Sequence, residues 1–361
     1  MRRAGLLLPL LLAACGGKEG KLGFIAPLTG PLADRGHEMR VALELALAEL
    51  PPENRPEVLQ ADCEGSVRRT TTAFGELGGL GATVVMGPLT TDEAEAASLV
   101  ARSVAVSCVT PAATGAALGD ANGWTLRLCY SDDDAAHALA GWARMQLHLE
   151  RLATVVDLRS AYSLGLARAF AREFSRLNGR IVGEVTYHSG DPDAATVLDQ
   201  VAALPVQGAL LAGYLPDIVR MLDGASDQRV AGLVLLGGDG WGGAGLHQAF
   251  AGRVAGAYHT RHFDPGRDDP LVTDFVARWR AATGEEPSDT AALTFDAARA
   301  VLSVFDPEVD ALEMHRRLLR LPHREGVTGP LDVDPRGAAA RRPIFLEQVH
   351  DPAGPSIVAE L

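Results

Sequence analysis

Lysine is nearly absent from this sequence. Lys18 and Lys21 are the only two in 361 residues, and arginine supplies the remaining positive charge. Positive charge is short overall, with 33 basic against 46 acidic side chains and a formal net charge of −13. Nucleic-acid binding needs a basic face to neutralise phosphates, so that class of partner is excluded. Long apolar runs are also missing: past the N-terminus, none reaches the roughly 18 residues of a membrane span. The four cysteines, Cys15, Cys63, Cys108 and Cys129, show no metal-binding spacing. The nucleophile-elbow and helix-borne metal motifs of hydrolases do not occur, which argues against an enzyme.

What is present is a globular composition, 47% apolar and 22% charged, in a chain long enough for two domains with ample cores. The first residues, "MRRAGLLLPLLLAACGG", combine a basic start, an apolar stretch over Leu6 to Ala14 and small residues before Cys15. That pattern is a secretory signal, too short to span a membrane. "Leu12-Ala13-Ala14-Cys15" resembles a bacterial lipobox. Residues 1–14 are therefore expected to be removed, Cys15 to carry lipid as the first mature residue, and residues 15–20 to form a tether. The expected location is the periplasmic side of a membrane, inner or outer, touched through the lipid alone. Export permits one disulfide among Cys63, Cys108 and Cys129, in any of three pairings; three buried thiols are the alternative.

Beyond the tether, strand and helix patterns alternate. "KLGFIAPL" reads as a buried strand and residues 36–50 as an amphipathic helix stopped by Pro51-Pro52. "EVLQAD", "ATVVMG", "SVAVSCVTP" and "WTLRLCY" are further strands, with a helix over 67–77 between the first two. Thr90 and Glu93 form a capping-box pattern that opens another helix. A second set starts with a helix over "DAAHALAGWARMQLHL". The strands "LATVVDL", "GRIVGEVTYH", "GALLAGY" and "LVLLGG" follow, separated by helices. Residues 270–321 are mostly helical, and two late strands follow, "GPLDV" and "RPIFLEQV". The alternation predicts an α/β protein with mostly parallel sheets.

This ordered set resembles the type I periplasmic binding proteins, specifically the branched-chain amino-acid (Leu/Ile/Val-binding) group. "GFIAPLTGPLADRG", "LQADCEGS", "VVMGPLTTDEA" and "VSCVTPAATGAAL" are similar to the family's first four strand ends. "VVDLRSAYSLGLARAF", "LLAGYLPDIVRML", "LLGGDGW" and "GVTGPLDVDPRG" follow in family order. The resemblance implies two lobes, each a mostly parallel sheet flanked by helices, joined by three hinge crossovers. Lobe 1 would comprise residues 21–129 and 262–336, and lobe 2 residues 130–261 and 337–361. Ligand would sit in the cleft outside the carboxyl ends of the strands, with hinge closure around it.

The resemblance also implies a set of ligand contacts. Thr91, Ala112 and Thr114 match the carboxylate side, with the Ala112 carbonyl facing the ammonium. Tyr162 and Tyr214 would enter from lobe 2, and Asp239 would hold the ammonium. Asp239 lies within "LVLLGGDGWGGAG", where Gly238, Gly240 and Gly243 match a dinucleotide-loop spacing. A carboxylate inside a phosphate cradle repels its ligand, and the strand falls late in the chain, so a nucleotide site is disfavoured. Two positions depart from the family: Arg35 and Ala291 stand where aromatics are expected. An arginine facing the cleft suits a polar or anionic ligand better than leucine. Cys63 matches a bridged family cysteine whose partner position is Thr90 here, so that bridge is not expected. His259 and His262, in "HTRH", could begin a metal site, but no third ligand lies nearby in sequence; neither metal nor cofactor is expected.

The expected function is a monomeric, non-catalytic substrate-binding protein that delivers an amino-acid-like solute to an ABC permease. A ligand-sensing or protein-contact regulatory lipoprotein, for example of cell-wall enzymes, is the alternative on the same fold.

Overall fold

A computed structural model describes residues 19–118, 123–243, 246–250, 253–339, 342–349 and 356–361. The expected signal segment and Cys15 lie outside them. Strands β1 (Lys21–Ala26), β2 (Val58–Asp62), β3 (Ala82–Met86), β4 (Ser107–Thr110) and β5 (Thr125–Arg127) form a parallel sheet in the order β2-β1-β3-β4-β5. Helices α1 (Ala33–Leu47), α2 (Val67–Gly79) and α3 (Thr91–Val104) alternate with them. The second unit runs α4 (Asp132–Met145), β6 (Arg151–Asp157), α5 (Ala161–Arg176), β7 (Arg180–Tyr187), α6 (Val197–Ala202) and β8 (Gly208–Ala212). It continues through α7 (Leu215–Gly224), α8 (Asp227–Val230), β9 (Val234–Gly237), α9 (Leu246–Phe250) and β10 (Gly256–Arg261). Three further helices, α10 (Pro270–Thr283), α11 (Asp289–Leu302) and α12 (Ala311–Leu318), precede the hairpin of β11 (Glu325–Gly326) and β12 (Gly329–Pro330). Finally β13 (Phe345–Gln348) and β14 (Ser356–Glu360) extend the second sheet to the order β14-β13-β10-β9-β8-β6-β7, antiparallel at β13 and β14 only.

Every residue of β3 and β8 is buried, the continuous apolar run that a strand covered on both faces needs. One core joins Leu22, Phe24 and Met39 to Phe263, Phe275 and Phe295. The second sheet has a core on each face, one around Phe170 and Leu210, the other around Leu211 and Trp241. The chain leaves the first core between Leu128 and Tyr130 and returns to it by Phe263. It joins the second sheet again by Ile344.

The capping box at Thr90 forms in full: Thr90 Oγ accepts from Glu93 N, and the Glu93 carboxylate accepts from Thr90 N at 3.2 Å. Two expectations need correction. Helix α1 begins at Ala33 rather than residue 36. Gly36 sits inside its first turn, where a Cβ would lie 2.0 Å from the carbonyl oxygen of Pro27, so the glycine marks a close crossing rather than a boundary. "GPLDV" contributes only the two residues of β12, since Pro330 has no N–H with which to continue a ladder. The three described cysteines, Cys63, Cys108 and Cys129, are buried free thiols. No described helix is long and apolar enough to cross a membrane.

Candidate functional site

Parallel strands all end on the same side, so the turns after them converge. Here they meet in a cleft of about 970 Å³ lined from both sheets. Arg35, Thr91, Ala112, Thr114, Tyr162, Tyr214 and Asp239 all line it. Each stands in the turn or helix that follows a strand's carboxyl end.

Thr91 opens α3 and is 2% exposed; its hydroxyl accepts from Gly115 N at 3.1 Å, which ties the turn after β4 to the helix start. The Thr114 carbonyl accepts from Asp132 N at 2.8 Å, fixing the entry to α4. Asp132 is buried beside this group. Desolvation first, and the negative charge of Asp239 second, push its carboxyl well above the usual range.

Opposite, Tyr162 on α5 donates from its hydroxyl to Asp239 Oδ1 at 3.2 Å and accepts from Gly240 N at 3.1 Å. Its ring stacks on Tyr214, with centroids 5.0 Å apart. Burial, then the Asp239 charge, raises its phenol well above the ordinary value. Asp239 begins a short 3-10 turn, Asp239–Trp241. The surrounding glycines are explained by packing. A Cβ at Gly237 would collide with the fully buried Trp241 ring, and one at Gly238 would lie 2.4 Å from the Tyr162 hydroxyl. Glycine here lets two aromatic rings reach the turn that presents Asp239.

Two groups cross the cleft. From α1, Arg35 Nη2 donates to the carbonyl of Gly240 at 3.2 Å and to that of Gly242. From α3, Asp92 accepts from Ala161 N at 2.7 Å and Ser160 Oγ at 3.0 Å, at the N-terminus of α5. Near Arg35, the Ser288 hydroxyl donates to Glu38 at 2.5 Å. Burial raises the Glu38 carboxyl; the Ser288 bond and the Arg35 charge offset this in part.

Sequence reasoning missed the floor formed by β10 and β13. Arg261 donates to Asp289 at 2.8 Å and to Glu347 at 2.6 Å, and His259 Nε2 lies 3.0 Å from Glu347. Although burial opposes it, these two partners hold the Glu347 carboxyl at about 2. His259 and Glu347 are directly paired across the strands, a juxtaposition that local spacing cannot reveal. His262 also lines the cleft, 3.6 Å from Asp239. Its only sequence signal was the "HTRH" pair. Among the described residues, no group of three metal-ligating side chains is assembled. The cleft presents a helix start with hydroxyls on one wall and a carboxylate with tyrosines on the other.

Comparison with known proteins agrees with this architecture. The family model for periplasmic binding protein matches residues 19–354. The Leu/Ile/Val-binding protein BraC3 of Rhizobium johnstonii is 31% identical over 232 residues, and Leu/Ile/Val-binding protein homolog 3 of Brucella melitensis is 30% identical over 233. Each match spans 61% of this chain and 61% of the relative. Among solved structures, the leucine-binding protein LivK of Thermotoga maritima superposes with a TM-score of 0.87 at 23% identity, covering 95% of this chain and 98% of that one. LivJ of Streptococcus pneumoniae in complex with isoleucine gives 0.84 at 21%, covering 95% and 99%. A solute-binding protein of R. palustris in complex with benzoate gives 0.82 at 18%, covering 94% and 95%. With residues 19–354 matched by the family model, this chain belongs to the periplasmic binding protein family.

Proposed function

We propose that this chain is the exported, lipid-anchored substrate-binding component of an ABC importer, and that its cleft captures an amino-acid-like solute without chemical change. The observation that carries this reading is the convergence of Thr91, Thr114, Tyr162, Tyr214 and Asp239 on one cleft. A zwitterion needs both of its charges met on leaving water. Its carboxylate suits the start of α3, where the helix N-terminus and the Thr91 and Thr114 hydroxyls line the cleft. Its ammonium suits Asp239 and the Ala112 carbonyl. The matched relatives named for Leu, Ile and Val binding support the amino-acid class. Where the ligand's side chain would lie, Arg35, Glu38 and Ser288 make the wall polar, so a polar side chain fits better than leucine's. The lipid anchor rests on the "LAAC" sequence at Cys15. The lobes, 21–129 with 262–336 and 130–261 with 337–361, are read as the bodies that close on the ligand, and Arg35 and Asp92 as contacts of the closed form.

Thermal unfolding of the purified chain, refolded to strip bound solutes, tests this against the proteinogenic amino acids, short peptides and amino-acid analogues. A true ligand at a hundred times its Kd adds about 2.7 kcal/mol of stability. Asp239→Ala is expected to abolish that shift. No shift with any amino-bearing compound overturns the reading in favour of a regulator acting by protein contact.

A further inference from the structure

The two histidines of "HTRH" have different fates. His259 is consumed: its Nε2 faces Glu347 at 3.0 Å and its Nδ1 faces the Thr260 carbonyl at 3.2 Å. His262 is not. It is 3% exposed, lines the cleft, and stacks on Tyr130 with ring centroids 3.6 Å apart. Its main-chain N–H donates to Asp289 at 2.9 Å, which pins the residue from behind. Its Nε2 is buried without a hydrogen-bond partner. That nitrogen lies 3.6 Å from Asp239 Oδ2, too far for a hydrogen bond and close enough for an ion pair.

Two buried arginines lie nearby: Arg127 of β5 donates to the Cys129 carbonyl and Arg342 to the Thr328 hydroxyl, and both charges act on Cys129 beside Tyr130. On β10, Arg261 is engaged by Asp289 and Glu347, and His259 by Glu347. Asp289, at the start of α11, is matched by Arg261. Arg35 of α1 is bonded to two main-chain carbonyls. Tyr130 and, on α5, Tyr162 are phenols that burial keeps neutral. Asp132 at the start of α4 is pushed towards its neutral form. Among the described residues, His262 is the one basic side chain that forms an ion-pair contact with Asp239, at 3.6 Å. An ammonium arriving at Asp239 competes with an imidazolium for the same carboxylate. Two cations beside one desolvated anion repel, so one of them must give up its charge. Imidazole is the group that can do so near neutral pH.

We propose that His262 is a ligand-site residue that couples the binding of an amino ligand to the release of one proton. As imidazolium it pairs with Asp239; on arrival of the ligand's ammonium, the Nε2 proton passes to solvent and the freed lone pair accepts from the ammonium. This rests on the reading of Asp239 as the ammonium's partner. Its corollary concerns specificity: a carboxylic acid without an amino group leaves His262 protonated and does not lose affinity in acid.

Titration calorimetry of the full chain with each proteinogenic amino acid, between about pH 8 and pH 5.5, tests it. Two buffers of different ionisation enthalpy give the proton count. For any amino acid that binds, wild type is expected to release up to one proton, with affinity falling by about tenfold per pH unit once imidazole is protonated. In His262→Gln, at whatever affinity the variant binds near pH 8, both the proton release and the pH slope are expected to be lost. The inference is overturned if wild type exchanges no proton across this range, a result that needs no variant. It is equally overturned if His262→Gln keeps the wild-type slope. If Asp239→Asn binds every amino acid as well as wild type does, or if none binds wild type, the functional reading itself falls and takes this one with it.

Discussion

Tyr162 does two jobs with one hydroxyl. It steadies the Asp239 carboxylate and accepts the Gly240 N–H, so it both positions the anion and holds the turn that presents it. Hydrogen bonds to charged groups contribute about 1.5–3 kcal/mol. Tyr162→Phe is therefore expected to weaken ligand binding by roughly tenfold to a hundredfold while leaving the fold intact, read by calorimetry beside circular dichroism. Asp132 makes a separate prediction. A carboxyl whose folded pKa is raised contributes stability fully present below its unfolded value and lost as pH rises through the folded one. Asp132→Asn removes that ionisation, so it is expected to melt above wild type at alkaline pH, with the difference vanishing in acid. Equal melting temperatures for the two proteins at alkaline pH would show that Asp132 carries no such strain.

At the level of elements, the glycines and the strand pairs decide where side chains end up. Gly36→Ala forces a methyl against the Pro27 carbonyl at the first turn of α1. Overpacking of that kind costs about 1–3 kcal/mol or more, which urea unfolding would register. The β10–β13 pair supplies the opposite case, a buried network rather than a clash. Glu347→Gln breaks it and is expected to cost about 3–5 kcal/mol at neutral pH. Because the Glu347 carboxyl is held at about 2, that stability is present above 4.5 and fades as pH falls towards 2, so the gap to wild type narrows in acid. Much of this was legible in the sequence. Apolar runs such as "ATVVM" announced buried strands, the Thr90–Glu93 pattern announced a helix start, and the acid within the glycine run spoke against a phosphate loop. What was not legible depended on distant partners. Glu347 meets His259 across 88 positions of sequence, and the glycines near Asp239 answer to Tyr162 and Trp241 rather than to a turn of their own. Gly36 was misread for the same reason: its constraint lies in Pro27, on another segment.

For the molecule as a whole, the cleft is crossed by Arg35 and Asp92, each reaching from the first unit to main-chain groups of the second. If closure is the working motion, Arg35→Ala removes a contact made only in the closed form. The ligand-free variant is then expected to show a larger radius of gyration by solution scattering and faster ligand release; an unchanged radius and off-rate would assign Arg35 to the ligand alone. The proposed recognition of an amino ligand turns on one carboxylate, that of Asp239. The direct measurement is calorimetric: an amino acid that binds, and the same acid lacking its amino group, each titrated at about pH 8 into wild type and Asp239→Ala. Losing one partner of a buried charge pair costs about 2–5 kcal/mol. Wild type is therefore expected to prefer the amino acid by roughly 30-fold or more, and Asp239→Ala to erase that preference. Equal affinity of wild type for the two acids, or a preference that survives in Asp239→Ala, would contradict the account.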